Sequence, residues 1–190
     1  MTELNIKKIV EELIDTFYFA GKVSLELREK GLIKETKSDN TPVSNGDLEV
    51  NKIITQKIKD ITPNLPIISE ETSDNKSLEN LKNFWLIDPI DGTFDYINNL
   101  EEFTINAGLI INKIPVAGLI FAPSKKRMFY SYGPNFAFEI SNDETINLNC
   151  SKNFNKDEIK FVSYSNKIKP EIEKIHKELK VKKFVRMKSS

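Results

Sequence analysis

The chain has 190 residues, 39% hydrophobic and 29% charged, with 28 Lys plus Arg offset by 28 Asp plus Glu. That length buries a respectable core in one domain or slightly more. The zero net charge argues against a nucleic-acid polymer as partner, which a basic excess normally marks, yet leaves room for a small anion held at a local metal site.

The N-terminus carries no basic-then-apolar leader, and no apolar run approaches bilayer-spanning length, so a cytoplasmic protein without membrane insertion is expected. Ile6, Val10, Leu13, Phe17, Ala20 and Leu27 recur at steps of three, four and seven, which predicts an amphipathic helix ending near Gly31. A polar loop from Lys34 to Pro42 follows. Val50, Ile53, Ile54 and Ile58 then mark a second helix, with Ser44 and Asp47 spaced as a capping box.

After Pro63 the pattern changes to short apolar runs. Leu65–Ile68 stops at Ser69-Glu70-Glu71, and Phe84–Ile87 stops at Asp88-Pro89. Phe103–Ile111 and Val116–Phe121 flank Asn112-Lys113 as a hairpin, and Met128–Tyr132 and Phe136–Ile140 flank Gly133-Pro134. A strand at 159–164, a helix at 171–179 and a strand at 183–187 close the chain. The expected class is α+β, with an N-terminal helix pair layered on a mostly antiparallel sheet. His176 sits among Ile172, Ile175 and Leu179 at helical spacing, which gives it a structural rather than a chemical role. One histidine and one cysteine, Cys150, cannot build a zinc site or an intrachain disulfide, so carboxylates and hydroxyls must carry the chemistry.

The densest signal is Trp85-Leu86-Ile87-Asp88-Pro89-Ile90-Asp91-Gly92-Thr93. Pro89 turns the chain and Gly92 permits a conformation closed to other residues, so Asp88, Asp91 and the Ile90 carbonyl can converge. Hard divalent cations take such oxygens, although Asp-Pro-x-Asp-Gly also serves as a plain strand-ending turn. Glu70 and Glu71 end another short strand. Laid beside the first, it would bring three or four carboxylates to one rim, where their repulsion calls for a cation. Asp47 reads either as the third residue of a capped helix or as part of this acidic group.

Lys37, Asp47, Ser69-Glu70-Glu71 and the Trp85–Thr93 block, in that order, resemble the inositol monophosphatase superfamily of metal-dependent phosphatases. Ser69, Glu102-Phe103-Thr104-Ile105-Asn106, Pro115-Val116-Ala117-Gly118, Ala122-Pro123 and Ser163-Tyr164-Ser165 are most similar to its 3'(2'),5'-bisphosphate nucleotidase branch. Phe94-Asp95-Tyr96, Asn166 and Lys188 depart from that branch.

The resemblance implies the layered α/β sandwich of that superfamily and a Mg2+-dependent phosphomonoesterase with two or three ions. Its expected substrate is adenosine 3',5'-bisphosphate, with an inositol or sugar monophosphate as the alternative. It implies Glu70, Asp88, the Ile90 carbonyl and Asp91 as metal ligands, Asp47 and Thr93 as the catalytic pair, and Glu70, Ile90, Asp91, Gly92 and Thr93 around the substrate. Residues 1–150 are then the metal-site domain and 151–190 the beginning of a C-terminal α/β domain. The family's further aspartate, from a Trp-Asp segment, has no counterpart in these residues, so a metal-binding fragment without turnover is a third expectation. Homodimerisation is left open.

Overall fold

The computed structural model describes residues 5–37, 41–72, 81–150, 160–163, 168–181 and 183–186. The chain divides into two compact units, Met1–Leu148 and Asn149–Ser190.

In the first unit, helix α1 (Ile6–Lys30) begins where the Asn5 side chain accepts a hydrogen bond from the Lys8 amide at 3.1 Å. It ends at Gly31, whose φ of 95° suits glycine. Its apolar stripe, Val10, Leu13, Phe17 and Ala20, is fully buried. Each large member of that stripe contributes about 1.5–3 kcal/mol through burial. Gly21 lets α1 approach the sheet closely, because an added Cβ would fall against Cε1 of the Phe121 ring and lie 2.8 Å from its Cδ1.

A short hairpin of β1 (Lys34–Thr36) and β2 (Pro42–Ser44) leads into helix α2 (Asn45–Ile61). The capping box is present in full: Ser44 Oγ accepts from the helix while Asp47 accepts from the Ser44 amide. A cap of this kind stabilises a helix by about 1 kcal/mol. The ends of the loop expected over Lys34–Pro42 are paired as β1 and β2.

One sheet of seven strands follows, in the spatial order β3-β4-β5-β6-β7-β8-β9. These are β3 (Ile67–Ser69), β4 (Phe84–Asp91), β5 (Thr104–Ile111), β6 (Ile114–Ala122), β7 (Arg127–Ser131), β8 (Ala137–Ser141) and β9 (Glu144–Asn147). Only β3–β4 is parallel; every other pair in this sheet is antiparallel. The tight turns use left-handed residues, Asn112 and Lys113 at φ 53° and 65°, and Asn142 and Asp143 at φ 51° and 63°. Paired positive φ values match the twist of a two-residue hairpin.

Helices α1 and α2 pack on one face of the sheet. Phe17, Ile54, Trp85, Phe103, Leu109 and Leu119 fill the core between them. Trp85 keeps its indole N–H satisfied by donating to Thr62 Oγ1 at 3.1 Å. The α+β class with a helix pair on a mostly antiparallel sheet is therefore what the chain adopts. No helix among the described residues is long and apolar enough to cross a membrane.

The second unit contains parallel strands β10 (Lys160–Ser163) and β11 (Lys183–Arg186), joined by helix α4 (Pro170–Glu178). His176 lies on α4 with its ring edge against Phe161, the centroids 3.9 Å apart. Tyr164, Ser165, Asn166 and Lys188, used in the resemblance, lie outside the described residues, as does the Asp39-Asn40 turn.

Candidate active site

Three elements deliver the acidic side chains. Strand β3 pairs in register with β4, Ser69 opposite Ile87, and the Glu70 amide continues the ladder by donating to the Ile87 carbonyl at 3.1 Å. That pairing sets the Glu70-Glu71 end beside Asp88. Strand β4 does not stop at Asp88-Pro89 as the apolar run suggests. It continues to Asp91, with a register shift against β5 between Asp88 and Asp91. An irregularity there accommodates Pro89, which has no N–H to give a ladder. Gly92 follows at φ 91° and ψ 36° and turns the chain directly into the short helix α3 (Thr93–Ile97).

Helix α2 supplies the other side. Asp47 is completely buried. Its Oδ2 accepts from the Ser44 amide at 2.8 Å and from Ser44 Oγ at 2.6 Å, while its Oδ1 faces Thr93 Oγ1 at 3.3 Å. One oxygen therefore caps the helix and the other is turned to Thr93, so both readings of Asp47 coexist in one carboxylate. The Thr93 hydroxyl also lies 3.0 Å from the Ile90 carbonyl, and its single proton is shared between the two acceptors. Burial raises the Asp47 pKa despite the opposing hydrogen bonds from Ser44 and Thr93.

The electrostatic focus is Asp88. Burial first, then the charges of Glu70 and Asp91, push its carboxyl up to about 7. Its Oδ1 is buried without a hydrogen-bond partner among the described residues. Glu71 is likewise raised, chiefly by burial. Lys37 supplies a counter-charge, its Nζ standing 2.8 Å from Glu71 Oε1 and 3.1 Å from Glu70 Oε1. Burial works against that ammonium, but Glu71 and Glu70 outweigh it and hold the Lys37 pKa above its usual value. Lys37 pairs with Glu70 and Glu71, and a divalent cation among hard oxygens would complete the neutralisation of the acidic group. No three His, Cys, Asp or Glu side chains among the described residues are already closed around a point. The donor chemistry fits a cation, with Asp88 Oδ1 as the unengaged atom.

Glu70, Asp88, Ile90, Asp91, Gly92, Thr93 and Asp47 thus gather at the joint of β3, β4, α2 and α3. Several supporting contacts join segments distant in sequence. Ser69 Oγ donates to Asn51 Oδ1 at 2.6 Å, which ties the Glu70-Glu71 end to α2 one helical turn beyond Asp47. The Tyr96 hydroxyl donates to the Ser24 carbonyl at 2.7 Å, which ties α3 to α1. A cavity of about 570 Å³ between α1 and the β8–β9 turn, lined by Tyr18, Leu25, Phe121 and Asp143 among others, holds none of the acidic group.

A family model described as the inositol monophosphatase family matches residues 5–189. A curated relative, the 3'(2'),5'-bisphosphate nucleotidase CysQ of Haemophilus influenzae, is 34% identical over 133 residues, covering 69% of this chain and 49% of its own. The chain spans about half the length of the curated relatives it matches. Among solved structures, CysQ from Bacteroides thetaiotaomicron aligns with a TM-score of 0.70 at 23% identity, covering 98% of this chain and 74% of that one. An IMPase/NADP phosphatase solved with Mg2+ and phosphate aligns with a TM-score of 0.75 at 15% identity, covering 96% and 68%. At those identities the two structures establish likeness of fold.

Proposed function

The chain belongs to the inositol monophosphatase family, and we propose that it carries the metal centre of a Mg2+-dependent phosphomonoesterase acting on the 3'-phosphate of adenosine 3',5'-bisphosphate in the cytoplasm. The observation that carries this reading is Asp88, crowded by Glu70, Asp91 and Glu71 with an oxygen left unpaired. Such a cluster persists at neutral pH with a cation or a proton among its oxygens. The nucleotide is preferred over inositol because the curated relatives at 33–36% identity are bisphosphate nucleotidases.

Glu70, Asp88, the Ile90 carbonyl and Asp91 would hold the metal, all hard oxygens that favour magnesium over softer ions. Bound there, Mg2+ supplies the activation of water and the neutralisation of the leaving oxygen. The protein's own share begins at Thr93. Its hydroxyl passes a proton to Asp47 Oδ1 while taking one from the attacking water, and burial makes that carboxylate a stronger base. Ser44 holds the other Asp47 oxygen, so the base is fixed in direction. Gly92, in its left-handed conformation, brings the Gly92 and Thr93 amides to the head of α3, where amides lack intrahelical acceptors and can take the phosphate oxygens.

The test is phosphate release by the purified protein with and without Mg2+, on adenosine 3',5'-bisphosphate and on inositol monophosphate. Mg2+-dependent release that favours the nucleotide is expected. Faster release from inositol monophosphate would overturn the substrate, and metal binding without release from either would leave only an ion-binding unit.

A further inference from the structure

Two side chains outside the acidic group share its chemistry. Across the β4–β5 ladder Asp88 lies directly opposite Asn106, and Asp91 lies directly opposite Thr104. Asn106 and Thr104 are two residues apart on β5, so they project from the same face of the sheet. Thr104 is only 5% exposed. Its Oγ1, Asn106 Oδ1 and Asp88 Oδ1 are all buried without a hydrogen-bond partner among the described residues. Buried oxygens without partners destabilise a fold, and proteins keep them chiefly where a ligand, ion or water will engage them. Here three occur at neighbouring positions of one ladder, beside carboxylates that already repel one another. Hairpin geometry alone would be served equally well by Leu and Val at 106 and 104, since β-branched and aliphatic residues suit a covered strand.

We propose that Asn106 and Thr104 belong to the ion site, their side-chain oxygens serving as neutral partners of the cation held by Asp88 and Asp91. This rests on the metal reading of the acidic group and adds to it two uncharged oxygens. Neutral oxygens have a physical advantage at this place. A fifth or sixth carboxylate would add repulsion in the metal-free state, whereas a carboxamide and a hydroxyl offer lone pairs without added charge. Their cost falls on the metal-free protein, and binding of the ion recovers it.

That trade gives the test two readouts of opposite sign. Mg2+ binding to the chelator-stripped protein is titrated by calorimetry for the wild type, Asn106→Leu, Thr104→Val and Asp88→Asn. Melting of the metal-free forms is followed in parallel. Outer partners of bound metals typically matter by about 10–100-fold in affinity. Asn106→Leu should weaken Mg2+ binding at least about tenfold, and Thr104→Val in the same direction, while neither lowers the metal-free melting temperature. Unchanged Mg2+ affinity in both variants while Asp88→Asn loses binding would overturn this proposal and leave the acidic site standing. A lower metal-free melting temperature in Asn106→Leu would overturn it too, since it would make Asn106 a structural partner of Asp88. Binding that survives Asp88→Asn would remove the metal reading together with its extension.

Discussion

Gly46 stands one residue before Asp47, and its lack of a side chain is what lets α3 close on α2. A Cβ built there would fall against the Tyr96 hydroxyl and lie 2.7 Å from Cε1 and 2.8 Å from Cζ of the same ring. The ring has little freedom to yield. Tyr96 is fully buried, its hydroxyl donates to the Ser24 carbonyl at 2.7 Å, and its ring packs on Phe103 with centroids 4.9 Å apart. Gly46→Ala should gain up to about 0.5–1 kcal/mol of helix propensity. Against that stand about 1–3 kcal/mol of overpacking and about 1–3 kcal/mol if the displaced hydroxyl loses its partner. The expected net loss is about 3 kcal/mol, which for a unit of this size lowers the melting temperature by roughly 6–12 °C. Because the nearest contact is the hydroxyl, adding Tyr96→Phe should recover part of the loss, and thermal melts of the four forms should give a coupling above about 1 kcal/mol. A Gly46→Ala protein as stable as the wild type would refute the close approach of α3 to α2.

Asp47→Asn separates the two roles of that carboxylate. One amide oxygen can still accept from Ser44, so urea unfolding should show a loss of no more than about 1 kcal/mol, while kcat for phosphate release falls by at least about 100-fold with KM little changed; a stability loss with kcat intact would leave Asp47 a helix cap only. For Asp88, the folded pKa of about 7 lies above the usual 3.8. Between those values the folded state binds more protons than the unfolded chain, so stability falls as pH rises through the interval and levels off above it. Melting of metal-free protein from pH 4 to 8 should show that slope, and both Asp88→Asn and added Mg2+ should flatten it; a wild-type melting temperature that rises over this range would contradict the crowding of Asp88.

The elements that local chemistry specifies are legible in the sequence. Helix periodicity located α1 and α2, the Ser44–Asp47 spacing produced the complete capping box, and Asn112-Lys113 formed the hairpin turn. Two apolar runs each ending in acids raised the possibility that the Glu70-Glu71 end lies beside β4, and the parallel β3–β4 pairing supplies that adjacency. What stayed hidden depends on register between distant segments. Asn106 and Thr104 look like ordinary strand residues until the shift between Asp88 and Asp91 sets one opposite each aspartate. Pro89 reads as a strand terminator because a proline disrupts regular pairing, yet the irregular ladder carries the strand past it to Asp91. Lys37 and Asn51 reach their partners Glu71 and Ser69 across 34 and 18 residues, distances over which periodicity says nothing. The residues that local rules explain are those that build the scaffold. Those that the rules explain least, the crowded acids and the unpaired oxygens beside them, lie together at one end of β4. A fold tolerates that concentration of unfavourable terms when binding relieves them, which is why the same side chains that weaken the metal-free protein are the ones assigned to its chemistry.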